Sequence, residues 1–112
     1  ISAFGNNAFR LQWMEKIEEA GGKLATLIHP TAYVSPKAHV SDGCVILPGA
    51  IINTGSRIGK GCIVNIGVTV DHDVIIEDGV HLCVRCIVKG ENRILRCEKI
   101  EAGKIIERAA RL

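Results

Sequence analysis

Residues 40–82 read VSDGCVILPGAIINTGSRIGKGCIVNIGVTVDHDVIIEDGVHL and repeat with a period of six. An aliphatic side chain returns at every sixth position of the chain. These positions are Ile28, Val34, Val40, Ile46, Ile52, Ile58, Val64, Val70, Ile76, Leu82, Val88, Ile94, Ile100, Ile106 and Leu112. A period of six matches neither an α-helix nor the strict alternation of a hairpin strand. It is typical of short strands joined by corners, whose aliphatic side chains stack into one continuous core.

A second repeating position accompanies the first. Four residues after each aliphatic comes a small or short side chain, at Ala32, Ala38, Cys44, Ala50, Ser56, Cys62, Val68, Val74, Val80 and Cys86. Glycine stands three residues after the aliphatic at Gly43, Gly49, Gly55, Gly61, Gly67 and Gly79. Each hexad therefore offers a bulky inward residue, a small inward residue and a flexible turn position.

Three hexads that close one triangular coil give a coil of 18 residues and four to five coils between residues 28 and 112. Residues 18 apart should then stack about 4.8 Å apart, as neighbouring parallel strands do. On this basis Cys44 and Cys62 stack inside the core, and Gly90 lies directly above His72. The sequence therefore predicts a mainly β protein that folds as a parallel β-helix.

The repeat changes character towards its end. After Cys86 the small position is taken by Asn92, Glu98 and Lys104, and the charge density rises. This change predicts an irregular last coil that also protects an open sheet edge. A short helix over residues 104–112 is the alternative, because Ile105 and Leu112 would share one helical face.

The first 27 residues have a different pattern. An apolar run, Ile1–Phe4, precedes a helical pattern that Asn6 or Asn7 would cap and Gly21-Gly22 would end. The apolar face of that helix contains Ala8, Leu11, Met14 and Ile17, and Leu24–Ile28 is the next predicted strand. Residues 1–27 therefore form a strand-helix-strand segment that resembles the end of a Rossmann-like nucleotide-sugar domain, and residues 28–112 form the β-helix domain. The alternative is a helix that plugs one end of the β-helix.

Composition excludes several function classes. The chain has 112 residues and a net charge of +2, from 14 Lys and Arg against 12 Asp and Glu, with two Phe, one Trp and one Tyr. A nucleic-acid binder would normally carry a concentrated basic face or stacking aromatics. No apolar run approaches the roughly 20 residues of a membrane span, and no secretory signal is expected. The five cysteines are interpreted as reduced thiols of a cytoplasmic protein, with Cys86 of the Cys83-x-x-Cys86 pair in the core.

Several motifs carry a family resemblance over about residues 1–90. They are Ile28-His29-Pro30-Thr31-Ala32, Val64-Asn65-Ile66-Gly67, Val70-Asp71-His72-Asp73 and Val80-His81-Leu82. The chain resembles the left-handed β-helix, or hexapeptide-repeat, acyltransferases, and within them the sialic acid and bacterial amino-sugar acetyltransferases. The resemblance implies a left-handed coil, a homotrimer, acetyl-CoA as co-substrate and a sugar or nucleotide-sugar as acceptor. Compared with that family, most of the Rossmann-like domain is missing before Ile1, and the coils after His81 are shortened and altered.

Acetyl transfer needs a base for the acceptor proton and a donor for the developing oxyanion. His72 is the best candidate base, and either Asp73 or Asp71 could orient its ring; the resemblance favours Asp73. The amide of Gly90 suits an oxyanion or thioester contact, and the resemblance assigns an amide of the next coil to this role.

The resemblance also places Asn65 near the acceptor and His81 near the acetyl-CoA, with no metal. The alternative for His72 is a solvated corner residue. His29 and His39 are expected to be structural, and Asn53 and Asn65 suit turns.

Three functions compete at this point. The first is an acetyl-CoA-dependent sugar acetyltransferase with His72 as general base. The second is a zinc enzyme like the β-helix carbonic anhydrases, although His72 and His81 are nine residues apart and no closer pair is present. The third is a non-catalytic remnant that serves assembly. Outward aliphatics such as Leu47, Ile51 and Ile66 have no core to face, which predicts a homotrimer in any of these cases.

Overall fold

A computed structural model describes residues 6–108. It contains one α-helix, α1 (Asn7–Glu19), followed by two-residue strands only. In chain order these are β1 (Leu27–Ile28), β2 (Tyr33–Val34), β3 (His39–Val40), β4 (Val45–Ile46), β5 (Ile51–Ile52), β6 (Arg57–Ile58), β7 (Ile63–Val64), β8 (Thr69–Val70), β9 (Ile75–Ile76), β10 (His81–Leu82), β11 (Ile87–Val88), β12 (Arg93–Ile94), β13 (Lys99–Ile100) and β14 (Ile105–Ile106). Within residues 6–108, no helix combines the length and apolarity of a membrane span.

The strands form three parallel sheets that make the faces of a triangular prism. Sheet A has the order β1-β4-β7-β10-β13, sheet B the order β2-β5-β8-β11-β14, and sheet C the order β3-β6-β9-β12. Every pairing joins residues 18 apart, such as Val70 with Val88 and Ile58 with Ile76. The predicted 18-residue coil is therefore confirmed, and the fold is a parallel β-helix of about four turns.

The core consists of the two inward hexad positions. Ile52, Val64, Val70 and Leu82 are 0% exposed, and each such burial contributes about 1.5–3 kcal/mol. Among the small residues, Cys44, Cys62 and Cys86 are buried as well, as predicted. The second residue of each strand therefore points inward, while the first points out from the sheet.

Three corners join the faces of the prism, and each corner is a stack of four-residue turns. The A–B corner contains residues 29–32, 47–50, 65–68, 83–86 and 101–104; the B–C corner contains 35–38, 53–56, 71–74 and 89–92; the C–A corner contains 41–44, 59–62, 77–80 and 95–98. The third residue of most turns is a glycine with positive φ, such as Gly55 at 75°. Four side-chain-bearing residues take the same left-handed conformation, namely Asp73, Arg85, Glu91 and Cys97, with φ between 54° and 62°. This conformation is costly for residues other than glycine, so each of the four turns needs compensating contacts.

Helix α1 lies along the C–A corner. Asn6 caps it by accepting a hydrogen bond from the amide of Phe9 (2.8 Å), and it ends before Gly21. Met14 and Leu11 pack against Gly61 and Gly79 of this corner. The helix runs along the side of the prism because this column of glycines leaves room for it, so the end-plug interpretation is wrong. The predicted strand Ile1–Phe4 lies outside the described residues, and the two-domain division stays a prediction.

The last coil is regular. Strand β14 pairs with β11 in the same register as all other strands, so the predicted irregular coil is wrong. The helical alternative fails for residues 104–108, since Ile105–Ile106 is a strand. The bulky hexad positions explain this result, because Ile94 and Ile100 remain buried.

The polar residues at the small hexad position are either hydrogen-bonded or exposed. The side-chain amide of Asn92 donates to Lys89 O (2.9 Å), and Glu98 and Lys104 are exposed at the open end. Residues 109–112 of the helical alternative lie outside the described residues.

Candidate active site

His72 occupies the second position of the turn 71–74 at the B–C corner, where its side chain is 43% exposed. Its ring nitrogen Nδ1 lies 3.0 Å from Asp73 Oδ2. Asp71 instead accepts hydrogen bonds from the backbone amide of His72 (2.8 Å) and from the side-chain amide of Asn53 (3.2 Å). Asp73 is therefore the ring partner of His72, whereas Asp71 fixes the backbone beneath the ring.

The carboxylates around His72 change its acidity. The hydrogen bond to Asp73 raises the pKa of His72, and the charges of Asp71, Asp73 and Glu91 raise this pKa further. A carboxylate partner at Nδ1 requires that nitrogen to carry the hydrogen, which leaves the lone pair of the neutral ring on Nε2. Nε2 is thus the atom that can take a proton.

Two glycines make room for the His72–Asp73 pair. A Cβ built on Gly90 would lie 2.5 Å from His72 Nε2, and a Cβ on Gly55 would collide with Asp73 Oδ1. Gly55 also has a φ of 75°, which favours glycine. The imidazole therefore lies over Gly90 in the following coil, as the 18-residue stacking predicts, and the carboxylate lies over Gly55 in the preceding coil.

The backbone amide of Gly90 differs from those of Thr54, Ile66 and His72, which also stand at the second position of their turns. In the turns that contain Thr54, Ile66 and His72, the side chain of the preceding residue accepts this amide hydrogen. The residue before Gly90 is Lys89, whose ammonium pairs with Glu107 (2.7 Å). Within residues 6–108, no protein acceptor takes the Gly90 amide hydrogen. A donor beside Nε2 is therefore available to a substrate oxygen.

Asn65 and His81 form a second group on the A–B side of the prism. The side-chain amide nitrogen of Asn65 lies 3.3 Å from His81 Nε2, while its oxygen accepts the amide hydrogen of Ile66 (2.8 Å). Asn65 therefore donates to the ring, so Nε2 of His81 is an acceptor and Nδ1 carries the hydrogen. Burial lowers the pKa of His81, and the charges of Arg10 and Lys99 lower it further. The contact with Asn65 thus fixes the tautomer of His81, and the lowered pKa favours the neutral ring.

The two groups are on different edges of sheet B within one chain. His72, Asp73 and Gly90 are at the B–C corner, whereas Asn65 is at the A–B corner and His81 lies on sheet A. The outward residues of sheet B separate them. These are the paired residues Tyr33, Ile51, Thr69, Ile87 and Ile105. Three of these side chains, Tyr33, Ile51 and Ile105, are between 41% and 52% exposed.

The remaining candidate residues stand apart from both groups. His29 Nδ1 bonds Thr31 Oγ1 in its own turn (2.9 Å). His39 lines a groove of about 340 Å³ on sheet C, together with Arg57 and Arg96. Among residues 6–108, no three His, Cys, Asp or Glu side chains are close enough together to hold a metal ion.

Sequence reasoning assigned no role to two buried polar residues. Arg10 is 0% exposed, and its guanidinium donates to the carbonyls of Gly61 (3.0 Å) and Gly79 (3.1 Å). Ser56 is also 0% exposed and contacts the turn of His72. A signal was present for Ser56, because it is the one hydroxyl among the small inward positions from Ala32 to Cys86. Arg10 had no such signal, because nothing in the helical pattern marks a buried cation.

Solved structures, but no family model, resemble this chain. No protein-family model matches the chain, and no curated protein matches it significantly. The structure is similar to the acetyltransferase domain of PglB from Neisseria gonorrhoeae FA1090, solved in complex with acetyl coenzyme A. The TM-score is 0.90 at 39% identity, over 92% of this chain and 50% of that chain.

Other solved structures extend the similarity. A mutant of perosamine N-acetyltransferase from Caulobacter crescentus, in complex with CoA and GDP-perosamine, matches with a TM-score of 0.77 at 26% identity, over 95% of this chain and 59% of that one. PerB from the same organism, also with CoA and GDP-perosamine, matches with a TM-score of 0.62 at 26% identity, over 88% of this chain and 62% of that chain. The chain thus spans half to three fifths of the length of these proteins. The resemblance of this chain to the hexapeptide-repeat β-helix acetyltransferases is therefore confirmed.

Proposed function

We propose that this protein transfers the acetyl group of acetyl-CoA to an amino or hydroxyl group of a sugar, with a nucleotide-linked amino sugar as the first acceptor to test. The observation that carries the proposal is the His72–Asp73 pair, whose free Nε2 lies beside the available amide of Gly90. The similarity to a perosamine N-acetyltransferase supports an amino-sugar acceptor. The free thiols fit the proposed cytoplasmic location.

The proposed chemistry assigns a role to His72, Asp73 and Gly90, with His72 acting first as base and then as acid. His72 Nε2 removes the proton from the acceptor as its nitrogen or oxygen attacks the thioester carbonyl carbon. The negative charge that develops on the carbonyl oxygen is stabilised by the Gly90 N–H. The Asp73 carboxylate stabilises the imidazolium. The tetrahedral intermediate then collapses, and this breaks the carbon–sulfur bond. The imidazolium then returns its proton to the leaving thiolate, which restores neutral His72 and releases CoA.

We also propose that the complete site forms between two subunits of a homotrimer. Asn65 and His81 cannot join His72 within one chain, since sheet B lies between them. The exposed apolar column on sheet B is suited to packing against a second copy. A neighbouring subunit that contributes its A–B corner would bring Asn65 to the acceptor and His81 to the acetyl-CoA beside His72, three times around the axis.

The main experiment measures CoA thiol release from acetyl-CoA with a panel of nucleotide-linked amino sugars. His72→Ala is expected to reduce turnover by about 10²–10⁴-fold, as for loss of a general base. His39→Ala is the matched control, because it removes a histidine on sheet C. Full turnover by His72→Ala would contradict the proposed base. Absence of both turnover and CoA binding in the unaltered chain would instead support the non-catalytic alternative.

Mixed trimers test the shared site. Chains with His72→Ala are unfolded and refolded together with chains that carry His81→Ala. If the site is shared, each mixed trimer contains an interface with intact His72 and His81, and activity returns. If each chain held a complete site, mixing would restore nothing.

A further inference from the structure

The turn that carries His72 closes differently from most turns of the prism. In eight turns, the amide of the fourth residue donates directly to the carbonyl of the first, as in Ala50 to Leu47 (3.2 Å) and Val68 to Asn65 (3.3 Å). In the turn 71–74 this direct bond is replaced by a bridge through a side chain. The amide of Val74 donates to Ser56 Oγ (3.0 Å), and the hydroxyl of Ser56 donates to Asp71 O (2.6 Å).

The bridge depends on a hydroxyl group. Ser56 and Val74 are both 0% exposed, so water does not replace either bond. Cys44 and Cys62 occupy the same hexad position as Ser56, and each thiol donates to a turn carbonyl of the next coil, Gly59 O (3.0 Å) and Glu77 O (3.1 Å). The amides of Cys62 and Val80 also donate to the thiols of Cys44 and Cys62, respectively, but sulfur is a weak acceptor and these bonds are correspondingly weak. A hydroxyl therefore joins the two ends of a turn more strongly than a thiol does.

The segment 53–56 of the preceding coil thus contacts every residue of the His72 turn that sets its shape. Asn53 holds the Asp71 carboxylate, Gly55 leaves space for the Asp73 carboxylate, and Ser56 joins the two ends. The turn needs this support because Asp73 has a φ of 54°, which is unfavourable for a residue with a side chain.

We propose that Ser56 is a positioning residue for the His72–Asp73 pair. Its hydroxyl oxygen lies between Asp71 O and the Val74 amide, and it thereby keeps the two ends of the turn apart and the pair in place. This inference rests on the proposed acetyl transfer for its kinetic consequence, but its structural part can be tested alone. Without the hydroxyl, either the ends of the turn approach each other or two buried backbone groups lose their partners. Both outcomes shift the Asp73 carboxylate relative to the His72 ring.

The experiment compares three variants of the full chain. Ser56→Ala removes the bridge. Alanine fits this hexad position, since it is the residue found there in three other turns, at Ala32, Ala38 and Ala50. Cys62→Ala is the matched control, because it removes a donor from the same hexad position at the C–A corner. Ser56→Cys keeps the donor and loses most of the acceptor. For each variant, kcat and the KM for acetyl-CoA are measured, and the pKa of His72 is followed by NMR titration of its ring.

Ser56→Ala is expected to reduce kcat by about 10- to 100-fold, as for a small misplacement of a reacting group, with little change in KM. It should also lower the pKa of His72, since the hydrogen bond to Asp73 weakens. Ser56→Cys should show a smaller loss, and Cys62→Ala should leave the pKa of His72 unchanged. Unchanged kcat and unchanged His72 pKa in folded Ser56→Ala overturn the inference. If Ser56→Ala does not fold, the same two measurements on Ser56→Cys decide it.

The proposed acetyl transfer and the proposed role of Ser56 can be contradicted independently of each other. If the unaltered protein transfers acetyl to no acceptor, the proposed function fails, but the pKa of His72 in Ser56→Ala still reports on positioning. If transfer occurs and Ser56→Ala changes neither measurement, the proposed function stands and the role of Ser56 is wrong.

Discussion

The imidazole of His72 lies over Gly90, and its Nε2 would be 2.5 Å from a Cβ at that position. The two residues are 18 apart in the chain and occupy the same place in consecutive turns of the B–C corner. A proton acceptor and a backbone donor thus stand side by side because of the coil length alone.

Gly90→Ala is expected to abolish most acetyl transfer, because the methyl group would displace the His72 ring and cover the amide. The φ of Gly90 lies outside the left-handed region, so backbone strain is not the reason. Loss of one oxyanion donor alone costs about 10²–10³ in kcat. Steady-state kinetics and thermal unfolding are measured together, with Thr54→Ala from the same corner as control. A fully active Gly90→Ala would show that the ring and the amide do not act together.

Asp73→Asn is expected to shift the pH dependence of kcat/KM. A general base works in its neutral form, so activity should rise with pH through the pKa of His72, which lies above its ordinary value of 6.5. Removing the carboxylate charge lowers this pKa, so the rising limb should move to lower pH while the maximal rate falls. Asparagine tolerates the left-handed conformation, which keeps the turn intact. An unchanged midpoint would mean that Asp73 does not act on the ring.

Ile51→Asp should break the proposed trimer. Ile51 is 41% exposed on sheet B, and a carboxylate there would be buried against the second copy. Light scattering should show a monomer, and acetyl transfer should be lost because the site is incomplete. Ile75→Asp is the matched control, since Ile75 is 36% exposed on sheet C. If the unaltered protein is a monomer, or if both variants remain trimers, the proposed interface is wrong.

Arg10→Met should destabilise the protein, and loss of the Arg10 charge should raise the pKa of His81. The carbonyls of Gly61 and Gly79 would lose a buried donor, at a cost of about 1–3 kcal/mol in the free energy of unfolding. Urea denaturation measures this difference, and Lys16→Met on the exposed side of α1 is the control. Equal stability of the two variants would mean that Arg10 does not hold the helix to the C–A corner.

The cysteines should react in two classes with a thiol reagent. Cys83 and Cys97 are partly exposed and should react in the native protein, whereas Cys44, Cys62 and Cys86 are buried and should react only on unfolding. Burial raises the pKa of Cys86 to about 11, which further reduces its thiolate fraction. Time-resolved labelling with and without denaturant counts the two classes. Rapid reaction of all five cysteines would contradict the buried stack.

The sequence by itself determined that the chain forms short strands joined by corners in 18-residue coils, because a strict hexad brings every sixth aliphatic side chain into one core. The same period placed His72 against Gly90, since residues one coil apart must stack. It left open whether Asp71 or Asp73 meets the His72 ring, because neighbours in a turn differ in direction by an angle that only the backbone sets.

The tertiary structure decided what depends on side-chain direction across coils. In the folded chain Asp73, and not Asp71, is the partner of the His72 ring. The buried Arg10 lies against the C–A corner, and the Ser56 hydroxyl lies inside the turn of His72. It also kept the last coil regular, because Ile94 and Ile100 stay in the core while their polar neighbours face solvent. Periodicity in the sequence indicates which residues face inward. Hydrogen bonds between side chains and residues far apart in the sequence do not recur with a period, so the sequence pattern does not predict them.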